Sequence, residues 1–170
     1  MSRARRWITN DVVFAAVALV LVAFTYTPLV DPLNEPLCAV SFRGATWLLD
    51  ALHIPHVADA AHRVIAHRPF SIEVSGLCSG LRGIALWAAV AALLPVSRRQ
   101  RALHFAAGTA VLMLLNVVRI VHLFHVGVQS SKSFSLYHEW LWPGAIVGAI
   151  LLYRLARLVR PGAPMETAHA

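Results

Sequence analysis

Residues 12–30 form a run of 19 amino acids without a charged side chain. A helix of about 20 apolar residues is what a bilayer core about 30 Å thick requires. Three arginines precede the run. The run is long for the apolar part of a signal peptide, and no small-residue cleavage site follows it. Because further apolar runs come later in the chain, we predict that this segment is retained as a first transmembrane span.

Three more apolar runs predict further spans at residues 79–95, 103–125 and 138–156. The chain has 170 residues, of which 58% are apolar and 14% are charged. A typical soluble domain is about 45–50% apolar and about 25% charged, and a soluble domain of this length cannot bury such an excess. The sequence therefore predicts an all-α polytopic membrane protein with four transmembrane helices.

The segment 31–77 between the first two runs has a different character. Residues 37–53 mix apolar side chains with charges, which favours a helix lying in the membrane interface. A fifth span is the alternative, opposed by Arg43 and Asp50 in the middle of the segment. Residues 69–75 alternate, with Phe70, Ile72 and Val74 apolar, and this period of two predicts a short β-strand.

The formal charge of +7 is distributed unevenly along the chain. Four spans place both termini on one side, which then carries nine arginines and two acidic residues, whereas the other side carries four basic and six acidic residues. The positive-inside rule makes the termini and loop 97–101 cytoplasmic, and segment 31–77 extracytoplasmic. A fifth span would separate the basic clusters. We expect no nucleic-acid partner, because the charge sets the topology.

The predicted spans also define the domain organisation of the chain. Residues 1–160 are predicted to be a single integral membrane domain, with the bilayer as its surroundings. Residues 161–170 are predicted to be a disordered cytoplasmic tail.

Three chemistry-bearing residues fall at one depth under this topology. Cys78 lies about 25 Å along the second span from its cytoplasmic end, and Arg119 lies about 24 Å along the third. His138 opens the fourth span on the outer side. Helical bundles assemble sites from side chains on different helices, so we predict a site near the outer edge of the bilayer core.

Each of these residue types suits a role in acyl transfer. A cysteine attacks as its thiolate, which is favoured near cations and at the start of a helix, where we place Cys78. Histidine titrates near neutral pH, which makes His138 a candidate acid and base. Arg119 carries a permanent charge that is costly in lipid unless it has a partner, and it can stabilise an anion. Four further residues are candidates for substrate or oxyanion support: Ser79, Gly80, Arg82 and Asn116.

Simpler roles remain open for the same residues. A buried cysteine often serves as a small apolar side chain, and a histidine at a span boundary is often interfacial. Arg119 can extend its side chain to the nearby interface. His122 and His125 compete with His138 for the role of base.

Two short motifs carry a family resemblance. Residues 76–83 read GLCSGLRG and residues 116–120 read NVVRI, and they resemble the cysteine and arginine motifs of the exosortase/archaeosortase family. His138 resembles the histidine motif, and the resemblance covers residues 45–157. It implies a membrane-embedded cysteine peptidase or transpeptidase with Cys78 as nucleophile, Arg119 as stabilising cation and His138 as acid and base. Arg82 matches a recurrent basic position without a carried-over role.

The resemblance also implies a partner and a location. The substrates are exported proteins with a C-terminal sorting signal that consists of a short motif, a hydrophobic helix and a basic cluster. The location is the bacterial cytoplasmic membrane, with the active site on the extracytoplasmic side. We expect neither a cofactor nor a metal ion.

Two other functional classes remain as alternatives. The chain contains nine histidines, and histidines on facing helices can hold haem or a metal ion. Cys38 and Cys78 both lie on the predicted outer side, where thiol–disulfide exchange is feasible, although no CxxC motif is present.

Overall fold

The protein is mostly helical, with one small antiparallel sheet. The computed structural model describes the backbone of residues 3–94 and 96–159, and the side chains of residues 12–94 and 96–156. The helices within this range are α1 (Arg3–Phe24), α2 (Asp31–Ala51), α3 (Leu81–Ala92), α4 (Arg98–Gln129), α5 (Ser131–Leu136) and α6 (Trp142–Val159). The strands are β1 (Val57–Asp59), β2 (Val64–His67) and β3 (Phe70–Glu73). The predicted tail 161–170 lies outside the described residues.

The first apolar run is helical for a shorter length than predicted. Helix α1 ends at Phe24 rather than near residue 30, because the Thr25 hydroxyl donates to the Val22 carbonyl at 2.6 Å and a 3-10 turn starts at Pro28. Proline has no N–H to continue the helix. Residues Pro28–Ala51 then run at 80° to Val12–Phe24. By length and composition, this bent pair is either a broken span or a re-entrant loop.

Helix α4 is the longest element and the clearest span. Within the described residues it is the one straight helix long and apolar enough to cross a membrane. It begins earlier than predicted because Ser97 and Gln100 form a reciprocal capping box. Helix α3 has only 12 residues, shorter than the predicted span 79–95. One span is therefore clear, a second depends on the bent pair, and four spans remain a prediction.

The last predicted span, 138–156, is helical throughout. A π-helical turn, Tyr137–Leu141, leads directly into α6. This wider turn marks where the chain passes from α5 into α6, at the position of His138. Single π-helical turns within helices occur frequently at functional sites.

Helix α2 begins at Asp31, earlier than the predicted start at residue 37, and packs along α4. Gly44 permits the close approach, because a Cβ at this position would lie 2.7 Å from Val117 Cγ2. The opposite face of α2 exposes Val40 and Trp47. Residues on the packed face share helical spacing: Cys38, Ser41, Phe42, Ala45 and Leu49. A location in the interface stays a prediction, as does the fifth span.

The predicted strand at 69–75 is confirmed as β3, and two strands before it were not predicted. The order is β1–β2–β3 with both pairs antiparallel. Ile65 and Ile72 are opposite each other in the register and buried. Two hydrogen bonds of 2.5 and 3.1 Å join the Arg63 guanidinium to the Glu35 carboxylate on α2. The sheet is therefore fixed to the helices just before the chain reaches Cys78.

Two apolar clusters make up the core, with a polar layer between them on α4. One cluster joins α2, the sheet and the second half of α4 from Ile120, and the other joins α1, α3 and α6 around Leu112. Asn116 and Arg119 lie between these two positions on α4. The buried polar residues of the described chain are Ser41, Ser79, Asn116 and Arg119. The fold thus places its buried polar groups around the Cys78 turn.

Candidate functional site

The Cys78 turn consists of residues 75–80 and connects β3 to α3. The Cys78 N–H donates to the Ser75 carbonyl at 2.8 Å, which closes a 3-10 turn over Gly76–Cys78. Gly80 follows with φ of +79°, a left-handed conformation that favours glycine. The prediction that Cys78 opens the next helix is wrong, since α3 begins at Leu81. The thiol therefore belongs to the turn before the helix.

Asn116 on α4 holds this turn from one side. Its Nδ2 donates to the Cys78 carbonyl at 2.7 Å and to the Ser41 hydroxyl on α2 at 3.0 Å. A Cβ at Gly80 would lie 3.3 Å from the Asn116 side chain, so the glycine also makes room for this contact. The amide nitrogen thus holds the protein's own backbone. Its Oδ1 is buried and has no hydrogen-bond partner within the described part of the chain.

Asn34 on α2 holds the turn from the other side. The Ser79 hydroxyl lies 2.8 Å from Asn34 Oδ1 and 2.8 Å from the Gly76 carbonyl, and it can donate to one of them at a time. The same hydroxyl oxygen accepts the Leu81 N–H at 3.2 Å. Two asparagines on different helices therefore hold the turn, and we refer to Asn34 and Asn116 as the asparagine clamp.

Arg119 is the charged member of the polar layer. Its side chain is about nine-tenths buried, and its Nε has no hydrogen-bond partner in the described residues. Its positive charge lies close enough to the Cys78 thiol and to the His138 ring to act on both electrostatically. Arg119 is therefore the predicted catalytic residue whose charge acts on the other two.

The three candidate histidines occupy different surroundings. The half-buried His138 ring stacks on Phe134, with centroids 5.3 Å apart and the ring planes 12° apart. His122 accepts a hydrogen bond of 3.1 Å from the Trp142 indole. His125 is exposed and lies 2.8 Å from the Gln129 side chain on the same helix.

A cavity of about 370 Å³ lies beside the turn, between α1, α3, α4 and α6. Ligand pockets commonly have volumes of about 300–1,000 Å³. Arg82 lines it, with its guanidinium 4.0 Å from the centroid of the Tyr26 ring. The apolar walls come from Val22, Leu86, Leu112, Ile146 and Val147. The other polar lining residues are Ser79, Asn116, Arg119 and Glu139.

Cys78 and His138 do not line this cavity. The Cys78 side chain is 4% exposed and packs in the apolar cluster of α2, the sheet and α4. The residues on either side of it, Leu77 and Ser79, do line the cavity. The thiol therefore lies behind the cavity wall.

The alternative functions require either grouped metal ligands or a reactive pair of cysteines. Among the described residues, no three His, Cys, Asp or Glu side chains are grouped so that they could hold a metal ion. Cys38 and Cys78 are both buried free thiols.

Sequence reasoning did not identify Asn34, Ser41 or Tyr26 as parts of the site. Ser41 had a usable signal, since it is the polar member of the helical stripe that α2 buries against α4. Asn34 and Tyr26 are near the bend between α1 and α2, and their positions depend on that bend. No local pattern predicts them.

Comparison with known proteins gives one match. The family model described as transmembrane exosortase matches residues 7–156, which is most of the chain. No curated protein and no solved structure matches the chain.

The asparagine clamp predicts a change in thiol accessibility. In a Cys38→Ser background, Cys78 should react slowly with a maleimide because its side chain is buried. Asn116→Ala leaves the Cys78 carbonyl without its donor, at a cost of about 1–3 kcal/mol, and should speed alkylation by about tenfold or more. Alkylation rates measured by mass spectrometry under native conditions check this.

The matched control is Gln129→Ala, which removes an exposed amide that lies 2.8 Å from His125 on the same helix. Its alkylation rate should equal that of the parent protein. Equal rates for Asn116→Ala and the parent would show that the clamp does not hold the turn.

Proposed function

Because the chain belongs to the transmembrane exosortase family, whose members are membrane-embedded sorting transpeptidases and proteases, we propose that it cleaves C-terminal sorting signals of exported proteins through an acyl-enzyme at Cys78. The observation that carries the proposal is the polar layer. It joins the Cys78 turn, Asn116 and Arg119 inside an otherwise apolar protein.

In the first half of the proposed reaction, the Cys78 thiol transfers its proton to the His138 imidazole. The thiolate sulfur attacks the carbonyl carbon of the scissile peptide, and a C–S bond forms while the carbonyl oxygen becomes an oxyanion. His138 then gives the proton to the leaving nitrogen as the C–N bond breaks. The products are a thioester on Cys78 and a released amine.

In the second half, water or an acceptor amine attacks the thioester carbonyl. His138 takes a proton from the nucleophile and returns it to the Cys78 sulfur as the C–S bond breaks. Water gives hydrolysis and an amine gives transpeptidation. The same residues serve both outcomes, so the choice depends on which nucleophile reaches the thioester.

Arg119 is the proposed stabiliser of developing negative charge. Its Nε–H has no hydrogen-bond partner among the described residues, the residue lines the cavity, and its charge acts on the thiol electrostatically. A fixed cation in a site with little water is an effective stabiliser of an oxyanion. The N–H groups of Gly80, Arg82 and Gly83 are additional candidates, because the first turn of a helix has no intrahelical acceptors for its donors, whereas the Leu81 N–H already donates to the Ser79 hydroxyl. Arg82 adds a second positive charge to the same cavity.

Substrate entry must expose the thiol, because Cys78 lies behind the cavity wall. We include in the proposal a local movement of the Cys78 turn when substrate fills the cavity. The apolar walls suit apolar side chains of a sorting signal, and the polar end at Ser79 and Arg119 suits the peptide backbone near the cleavage point. Such gating would keep the nucleophile unreactive until substrate binds.

The proposed topology follows the charge distribution. We propose a single membrane domain over residues 1–160 in the bacterial cytoplasmic membrane, with four spans and cytoplasmic termini. The Cys78 turn and the sheet would then be extracytoplasmic.

The nucleophile assignment predicts that Cys78→Ala abolishes processing of a sorting-signal substrate, because no other group in the proposed mechanism forms the thioester. Cys38→Ser is the matched control, since Cys38 is also a buried free thiol, lies on α2 and has no role in the proposed mechanism. We expect it to process at the parental rate. Cleavage is measured by immunoblotting of the substrate in cells with equal enzyme levels. Continued processing by Cys78→Ala would exclude the acyl-enzyme.

The base assignment predicts that His138→Ala slows cleavage by roughly 100-fold or more, as expected for loss of general acid–base catalysis. His125→Ala should leave the rate unchanged, because this ring is exposed and lies against Gln129 on its own helix. Single-turnover cleavage assays compare the two variants. A large loss in His122→Ala together with an active His138→Ala would assign the base to His122.

The topology predicts that single cysteines placed near the two membrane faces react from opposite sides of the membrane. In a cysteine-free chain, Lys132→Cys and Asp59→Cys should react with a membrane-impermeant maleimide in intact spheroplasts. Arg99→Cys should react only after lysis. Labelling of Arg99→Cys before lysis would invert or abolish the proposed orientation.

A further inference from the structure

A second, shallower groove of about 310 Å³ lies at the opposite end of the molecule from the sheet, between the end of α3 and the start of α4. Most of its lining is apolar and small: Ala88, Ala91, Ala92, Ala102 and Phe105. The Trp87 indole donates to the Phe105 carbonyl at 3.2 Å, which fixes α3 against α4 next to the groove. The groove is therefore a built feature of the helix pair.

Two arginines complete the lining of this groove, Arg98 and Arg101. Arg101 donates one Nη to the Leu94 carbonyl at 3.2 Å, and this bond holds the guanidinium in place. Its Nε is buried and has no hydrogen-bond partner among the residues described. An unpaired donor on a cation is costly unless a ligand supplies an acceptor.

No acidic side chain neutralises these arginines in the described part of the chain. The ion pairs resolved there join Asp50, Asp59 and Glu35 to residues of the sheet segment, far along the chain from Arg98 and Arg101. Residues 97–101 contain three arginines and no acid. The groove thus combines an apolar floor with an uncompensated positive end.

We propose that this groove binds an anionic phospholipid, with the phosphate against Arg98 and Arg101 and one acyl chain along the alanines and Phe105. A guanidinium presents planar paired donors that match phosphate oxygens. The apolar lining meets the acyl chain at the level where α4 enters the membrane. Basic pockets between transmembrane helices are suited to lipid head groups. The site is separate from the Cys78 turn, and the inference does not depend on the proposed reaction.

The amphipathic lining favours a lipid over a soluble anion. A free phosphate or glycerol phosphate would use the arginines but leave the alanine floor and the Phe105 ring uncovered. A zwitterionic lipid would fit the floor, but its own ammonium group would lie beside the arginines. The anionic lipid is the ligand that satisfies both halves of the groove.

The test is native mass spectrometry of the full-length protein in detergent, titrated with phosphatidylglycerol or with phosphatidylcholine carrying the same acyl chains. The parent protein should retain phosphatidylglycerol preferentially. Arg98→Gln should weaken that binding by about fivefold, the effect expected of one basic residue at a membrane surface. Arg99→Gln is the matched control, because it removes the same charge from the same turn of α4 at a residue that does not line the groove. It should change binding by less than about twofold.

Ala102→Trp tests the apolar half while leaving every charge in place. The indole would occupy the groove floor, and phosphatidylglycerol retention should fall while the protein remains folded by circular dichroism. Arg98→Gln keeps the proposal testable if an Arg101 variant fails to fold, since Arg98 is exposed.

Three outcomes would overturn the proposal. Equal losses in Arg98→Gln and Arg99→Gln would mean that only the loop's general charge attracts the lipid. Equal retention of both lipids would remove the role of the arginines. Thermal stabilisation by inorganic phosphate as large as that by phosphatidylglycerol would mean that the groove binds soluble anions without an acyl chain.

Discussion

The hydrogen bonds of the Asn116 amide are the interaction on which the rest of the site depends. One nitrogen joins three elements, because it sits on α4, donates to the Cys78 carbonyl before α3 and donates to Ser41 on α2. In an apolar interior an unpaired carbonyl is expensive, so these bonds give the Cys78 turn one favourable position. Gly80 and Gly44 make the contact possible, since side chains at these positions would meet Asn116 and Val117. The position of Cys78 is therefore set by helix packing as well as by its own turn.

The two apolar clusters explain why the polar layer lies where it does. Each cluster is made by a different group of helices around α4, and the long helix crosses from one to the other over the turn that carries Asn116 and Arg119. Polar groups at this boundary can pair with the turn on one side and line the cavity on the other. The asparagine clamp supplies rigidity, and Arg119 supplies a charge whose Nε has no acceptor among the described residues. A rigid turn next to a buried cation is an arrangement suited to stabilising charge that develops only during a reaction.

At both ends of the molecule, arginine side chains line an otherwise apolar groove. At the Cys78 end, Arg82 and Arg119 line a cavity with walls from α1 and α6. At the other end, Arg98 and Arg101 close the groove between α3 and α4. The two differ in what surrounds them, because Asn116 and Ser79 bring hydrogen-bonding groups to the first and only alanines and one aromatic ring accompany the second. We accordingly propose chemistry at the first and lipid binding at the second.

Local patterns in the sequence determined the helical class, the strand β3 and the cysteine and arginine motifs, because apolar runs, alternation and motif spacing are read over a few residues. The family followed from those motifs and is confirmed by the match over residues 7–156. Tertiary structure decided what depends on residues far apart in the chain. The bend after Phe24 brings Asn34 to Ser79, which is 45 positions away, and the packing of α2 on α4 brings Ser41 to Asn116, 75 positions away. The start of α3 at Leu81 and the burial of Cys78 behind the cavity also depend on this packing. No local sequence pattern predicts which helix face the turn will pack against.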